Sequence, residues 1–133
     1  MSRRLVVGAA VVRDGRLLAA RRTTPPAAAG RGELPGGKVD AGETPEDALV
    51  REVEEELGCR VAVLRWLDGE QPIGATHVLR AAFCRLEADG PRPGPDHDEL
   101  RWLGPEELGD VDWLEPDRPF LPAVREVLLG SGA

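Results

Sequence analysis

Three glutamates, Glu52, Glu55 and Glu56, are the residues of this chain best placed to do chemistry. On a helix they stand at i, i+3 and i+4, so their carboxylates project from one face. Like charges that close repel one another unless a cation sits among them. A solvated acidic helix face is the ordinary reading of such a run. The surroundings favour chemistry. Arg51 precedes the cluster, Glu43 opens the same segment, and the pair Gly36-Gly37 lets the backbone approach closely and offers a carbonyl to a metal. Hard oxygen donors in that number suit Mg2+ or Mn2+, ions that keep waters and share phosphate oxygens with a substrate.

The helix that must carry these carboxylates is predicted over Glu43 to Leu57, with Thr44 as N-cap, Pro45 at the first helical position and Gly58 as terminator. Leu49, Val53 and Leu57, four residues apart, form its buried stripe. Before it, Leu5 to Val12 and Leu17 to Ala20 flank Asp14-Gly15, a pair that favours positive φ and so predicts a β-hairpin. Residues 23 to 32 (TTPPAAAGRG) read as a loop on the substrate side. Beyond the helix, Arg60 to Trp66 and Ala75 to Leu86 alternate as strands, with a turn over Gly69 to Gly74. Gly90 to Pro95 is a surface loop, Leu100 to Leu103 a short strand, Pro105 to Leu108 a helical turn and Pro119 to Leu129 a closing helix with Leu121, Val124 and Leu128 inward. No internal repeat is visible, and the class is α+β with a mixed β-sheet.

At 133 residues the chain is expected to form a single domain spanning 1–133. Its net charge of -7 and sequence pI of about 4.9 repel nucleic acid polymers, whose affinity comes largely from phosphate neutralisation. A polyphosphate substrate on such a surface requires bound cations to reverse the sign locally. Cys59 and Cys84 lie in apolar stretches and no secretion signal opens the sequence, so a reduced, cytoplasmic protein is expected. No apolar run approaches the roughly 20 residues of a membrane span. The apolar N-terminal strand leaves monomer and homodimer both open.

The spacing Gly37, five residues, Glu43, seven residues, then Arg51-Glu52-Val53-x-Glu55-Glu56-x-Gly58 resembles the Nudix box, here residues 37–59. Cys59, where the family usually has an aliphatic residue, is its one departure, and a small apolar group is tolerated there. The resemblance implies an α/β/α sandwich. It implies that Glu52, Glu55 and Glu56, with the Gly36 carbonyl, bind the divalent ions, that Glu52 or a neighbour activates the water, and that Arg51 and Glu43 brace helix and loop. Lys38 and Arg22 are then phosphate clamps or, alternatively, solvated surface bases.

Length and the GGK lead further resemble the MutT type, which converts nucleoside triphosphates to monophosphates and pyrophosphate. In that type an Asn or Asp of the tail reads the base edge, and the matching residue here is Asp117. An ionised Asp only accepts, suiting cytosine N4; a protonated one also donates to a carbonyl, suiting oxidised guanine. A helix cap is the competing reading of Asp117. Asp96, with Glu99 second, falls where relatives place an extra acidic ligand, although 96 to 99 also reads as a charged turn. His97 is expected to be a solvated loop residue rather than a metal ligand, and His77 structural or pocket-lining. Trp66, Trp102 and Trp113 are read as packing residues before base-stacking ones, and Gly32 stands where relatives carry an aromatic. Alternatives to the triphosphate are hydrolysis of nucleotide sugars or dinucleotides, and a non-catalytic nucleotide-sensing domain.

Overall fold

Asp14 and Gly15 take φ of 53° and 72°, the positive values a two-residue hairpin demands, and join β1 (Arg4–Arg13) to β2 (Arg16–Arg22). The computed structural model describes residues 3–87, 90–95 and 97–130. The remaining elements are β3 (Gly32–Glu33), β4 (Gly36–Lys38), α1 (Pro45–Leu57), β5 (Val61–Trp66), β6 (Gln71–Ile73), β7 (His77–Leu86), β8 (His97–Leu103), 3-10 turns at Leu108–Asp110 and Glu115–Phe120, and α2 (Leu121–Gly130).

The sheet is mixed. β1 and β7 run parallel from Arg4 opposite His77 to Val11 opposite Cys84, while the other strand pairings among the described residues are antiparallel, an isolated parallel bridge joining Gly32 and Trp113. The far edge of β1 is shared between two partners. Residues 6–8 pair with β4, and residues 12–13 pair with β2. β2 then carries β3 and β8, so the sheet divides into two wings that part at the middle of β1.

Successive strand residues face opposite layers, as the pleat requires. Val7, Ala9 and Val11 pack with Ala48, Leu49, Val53 and Leu57 of α1 on one side. Ala10, Ala81 and Phe83 pack with Phe120, Val124 and Leu128 on the other. The result is the expected α/β/α sandwich. Leu121 is only partly buried, so the closing helix presents Val124 and Leu128 as its fully inward residues.

Several boundaries depart from the sequence reading, each for a local reason. The Gly69 to Gly74 region holds a strand, β6, because β7 offers Leu79, Val78 and His77 as partners to Gln71, Pro72 and Ile73. β8 starts at His97 rather than Leu100, since β2 extends to meet it, with an irregularity between Arg21 and Arg22. Pro119 lies inside a 3-10 turn, and α2 begins only after it. The 105–108 segment is a turn that runs into the 3-10 turn Leu108–Asp110. No helix among the described residues is long and apolar enough to cross a membrane.

Candidate active site

Thr44, extended at φ -78° and ψ 155°, accepts the Asp47 amide at 3.1 Å and starts α1; Gly58, at φ 64°, ends it by donating its amide to Glu54. With the apolar stripe buried, Glu52, Glu55 and Glu56 border one cavity of about 240 Å3 together with Pro95 and His97. The carboxylates differ in setting. Glu52 accepts from Arg51 Nη1 at 2.9 Å, Glu55 from the same nitrogen at 3.3 Å, and Glu56 from the Gly36 amide at 3.2 Å. Burial pushes the Glu56 carboxyl up to about 7, with nearby Glu33 adding to the rise and His97 opposing it. Burial also raises Glu52, against the pull of Arg51.

Arg51 is the brace of this region. Its Nε and Nη2 donate to the two oxygens of Glu43 at 2.7 and 2.9 Å, and Nη2 also reaches the Lys38 carbonyl at 3.2 Å. Glu43 accepts in addition from the Asp40 amide at 3.0 Å. One guanidinium thereby ties the helix to the end of β4 and to the connecting loop. The Arg51 hydrogen bond, followed by that of the Asp40 amide, holds the Glu43 carboxyl down at about 2.

Gly36 and Gly37 must be glycine for two different reasons. A Cβ on Gly37 would overlap the Glu52 carboxylate, whereas one on Gly36 would overlap the Val7 carbonyl. The pair also lines a second, more apolar cavity of about 310 Å3, whose walls include Val6, Ile73, Leu79, Leu114 and Pro116 and whose polar groups are Arg22, Glu33, Lys38 and Asp117. The glycine backbone therefore divides a carboxylate cavity from a mostly apolar one. Lys38 is exposed and, among the described residues, has no carboxylate partner. Arg22 is anchored, Nη1 to Glu33 at 2.8 Å and Nε to the Thr24 carbonyl at 2.7 Å, so it is a held group and not a solvated base.

Asp117 is not the helix cap that its distance from Pro119 suggests. It is 5% exposed, lies within the 3-10 turn and accepts a hydrogen bond from the Leu34 amide; burial raises its carboxyl well above the ordinary range, and neighbouring Glu33 adds to the effect. Nor is His97 solvated. Its side chain is buried, Nε2 lies 2.7 Å from Glu33 Oε2, and Nδ1 is buried with no partner among the described residues. Sequence reading missed the Arg22, Glu33, His97 chain because its members are 64 to 75 positions apart except for one pair; the only signal was the alternation of β8, which extends back to 97. Asp96 lies outside the described residues. Glu99 sits elsewhere, beside Arg21 at 3.7 Å and along a separate cavity of about 270 Å3 that contains no box residue. Trp113 is 1% exposed and donates to the Leu108 carbonyl, Trp66 and Trp102 lie under Arg80 and Arg13, and none of the three lines the two central cavities. His77 bonds Thr76 at the start of β7, a structural placement.

The donor set fits a hard divalent cation: three carboxylates on one cavity, two of them with raised pKa for lack of water, and a glycine leaving room for Glu52. Among the described residues no three Asp, Glu, His or Cys side chains already stand at metal-ligand spacing; Arg51 and the Gly36 amide engage the box carboxylates.

A mixed sheet between two helices, with a glycine pair against a glutamate-bearing helix, defines a Nudix hydrolase. The NUDIX domain model matches residues 2–124, and the chain belongs to that family, whose members generally use divalent metal ions. It is a Nudix pyrophosphohydrolase acting on nucleotides. Over its whole length, and 96% of the relative's, it is 44% identical to "Putative 8-oxo-dGTP diphosphatase 2" of Mycobacterium tuberculosis. It is 34% identical to the CTP pyrophosphohydrolase of Escherichia coli over 89% of this chain and 88% of that one. Among solved structures, the E. coli ORF135 protein superposes with a TM-score of 0.81 at 30% identity, covering 100% of this chain and 96% of that one. The MutT NUDIX hydrolase of Burkholderia pseudomallei gives 0.71 at 35%, covering 92% and 98%.

Proposed function

We propose that the protein hydrolyses a ribo- or deoxyribonucleoside triphosphate to the monophosphate and pyrophosphate in a Mg2+-dependent reaction, Mn2+ substituting, with cytidine-type or oxidised guanine nucleotides preferred. The observation that carries this is the pair Gly36-Gly37, which lines an apolar cavity with the buried Asp117 in its wall and lies against the Glu52 and Glu56 carboxylates of a second cavity. A base belongs in the apolar cavity, and the phosphates run from its Arg22 and Lys38 across the glycine pair into the carboxylate cavity.

Water adds across the anhydride between the α and β phosphates; one oxygen goes to the monophosphate side or the pyrophosphate side, and the water's proton must be taken up. A divalent ion, when bound, polarises the phosphoryl oxygens and lowers the pKa of the attacking water. Glu52, Glu55 and Glu56, with the Gly36 carbonyl and Asp96, would hold it, and a box carboxylate, Glu52 first, would accept the proton. Arg51 and Glu43 keep helix and loop in register. Lys38 supplies a positive charge to the phosphates, and so does Arg22, whose guanidinium is fixed through Nε and Nη1. Asp117 gives one carboxyl oxygen to the Leu34 amide and turns the other to the base: ionised it accepts from cytosine N4, protonated it donates to a guanine carbonyl. The names of the two relatives, one for CTP and one for 8-oxo-dGTP, run along the same lines. We read the chain as one domain whose site is assembled within one copy, serving equally in a monomer or homodimer, and the two unpaired thiols Cys59 and Cys84 suit the reducing cytoplasm.

A panel of ordinary, methylated and oxidised nucleoside triphosphates, nucleotide sugars and dinucleotides, assayed with Mg2+ and Mn2+ for phosphate and pyrophosphate, tests the proposal. Pyrophosphate from a triphosphate is the expected product. Turnover confined to nucleotide sugars or dinucleotides, or tight binding without turnover, would overturn it.

A further inference from the structure

We propose that His97 Nδ1 is a nitrogen ligand to the divalent cation held in the carboxylate cavity, which gives this site a built-in preference for Mn2+ and other nitrogen-accepting transition ions over Mg2+. The inference rests on the reading of that cavity as the cation site.

Geometry carries it. His97 lines the cavity with Glu52, Glu55 and Glu56, and its side chain is fully buried. Its Nε2 stands 2.7 Å from Glu33 Oε2, and the same oxygen receives Arg22 Nη1 at 2.8 Å. Held by a guanidinium, Glu33 acts as an acceptor, so the imidazole nitrogen facing it carries the hydrogen. Nδ1 is then the ring nitrogen available to a cation. That atom is buried and has no hydrogen-bond partner among the described residues, a condition buried polar atoms rarely tolerate. A histidine whose one nitrogen is fixed by a carboxylate while the other is bare is the arrangement by which proteins orient a metal-binding imidazole. Glu33 and Arg22 then orient the ring, with no contact of their own to the ion. Oxygen donors alone suit Mg2+ equally well, whereas imidazole adds affinity for Mn2+ and the later transition ions.

The test is pulsed electron paramagnetic resonance of Mn2+ added to the full chain, prepared unlabelled and with 15N-histidine. Only two histidines are present, and His97→Gln separates them. Directly bonded 14N modulation is expected from the wild type, a change in it with the 15N label, and its loss in His97→Gln, with Mn2+ binding weaker by about 10-fold or more while Mg2+ binding changes less. Circular dichroism establishes that the variant is folded. Mn2+ bound with water and carboxylate signals only, or nitrogen modulation that survives His97→Gln, overturns the assignment and leaves the cation site standing. Failure of the wild type to bind Mn2+ at all overturns both.

Discussion

Alanine at Gly37 and alanine at Gly36 are predicted to fail in different ways, although the residues are neighbours. Neither has positive φ, so the alanine backbone is acceptable at both. At Gly37 the new methyl meets the end of a side chain: Oε2 and Cδ of Glu52 are overlapped, and Oε1 stands at 2.8 Å. A carboxylate swings away at little cost, surrendering its 2.9 Å bond from Arg51, and the lower entropy of the unfolded alanine chain offsets part of that by about 0.4 to 1 kcal/mol. Stability should stay within about 1 kcal/mol of wild type, but Glu52 leaves the cavity and kcat should fall at least about 100-fold, which is about 2.7 kcal/mol of barrier. At Gly36 the methyl meets backbone, the Val7 carbonyl oxygen and, at 2.9 Å, Val7 C and Gly8 Cα, in the register that joins β1 to β4. Overpacking of that kind costs about 1 to 3 kcal/mol. For 133 residues the entropy of unfolding is about 0.28 kcal/mol/K, so the melting temperature should drop by about 4 to 11 °C. Calorimetry and steady-state kinetics on the two purified variants decide it. A Gly37→Ala enzyme with wild-type kcat, or one that melts as early as Gly36→Ala, would refute the argument.

The remaining predictions concern charge. The Glu43 carboxyl is held at about 2 against an ordinary 4.5, a folded value below the unfolded one, so the Arg51 pair stabilises the fold above about pH 4.5 and that contribution disappears as pH falls toward 2; chemical denaturation of wild type and Arg51→Ala should show their stability gap closing over that window. Glu56 is the reverse case, at about 7 folded against 4.5 unfolded: protein stripped of divalent ions by chelation should lose stability as pH rises from 4.5 to 7, by up to roughly 3 kcal/mol. Glu56→Gln should abolish that slope, and an equal slope in the variant would place its origin elsewhere. Asp117→Asn removes a buried acid, so the variant should melt no lower than wild type while its kcat/KM ratio between cytidine and guanine triphosphates shifts by about 10-fold or more, the worth of one polar contact to a base edge. An unchanged ratio would remove Asp117 from base recognition.

What the sequence made legible was local. Asp14-Gly15 dictates its turn, and Thr44, Pro45 and Gly58 bracket α1 within a residue or two of where it lies, because each acts on backbone a few positions away. The same holds for the three box glutamates, placed on one cavity by helical spacing alone. Features created by distant partners were not legible. Pro72 with Gly69 and Gly74 around it reads as a turn, and only the open edge of β7 makes β6 of it. His97 reads as solvated beside two aspartates until Glu33, 64 positions away, draws it inward. Asp117 resembles a cap because helices often start that way, yet it is buried and accepts from the Leu34 amide, 83 positions away, rather than from its own helix. The sequence reading thus succeeded where a residue's partner is its neighbour and failed where the fold supplies the partner.

The division of labour across Gly36-Gly37 has a consequence for how such an enzyme changes. Among the described residues, everything facing the carboxylate cavity apart from Pro95 and His97 lies on α1 between Glu52 and Glu56, tied to the end of β4 by Arg51. The walls of the apolar cavity include Gly36, Gly37 and Lys38 of β4 and come otherwise from β1, Arg22, the 25–28 loop, residues 33–34, β6, Leu79 and the 114–117 turn, and that turn is stitched to β3 by main-chain bonds between Gly32 and both Asp112 and Leu114. Substitutions in those walls other than Arg22 and residues 36–38 therefore leave the carboxylate-bearing helix untouched. A lineage can exchange one nucleotide for another by altering residues such as Pro25, Ile73 or Asp117 while the bond-breaking apparatus passes through unaltered, and a laboratory library confined to those positions should yield new selectivities without first having to repair turnover.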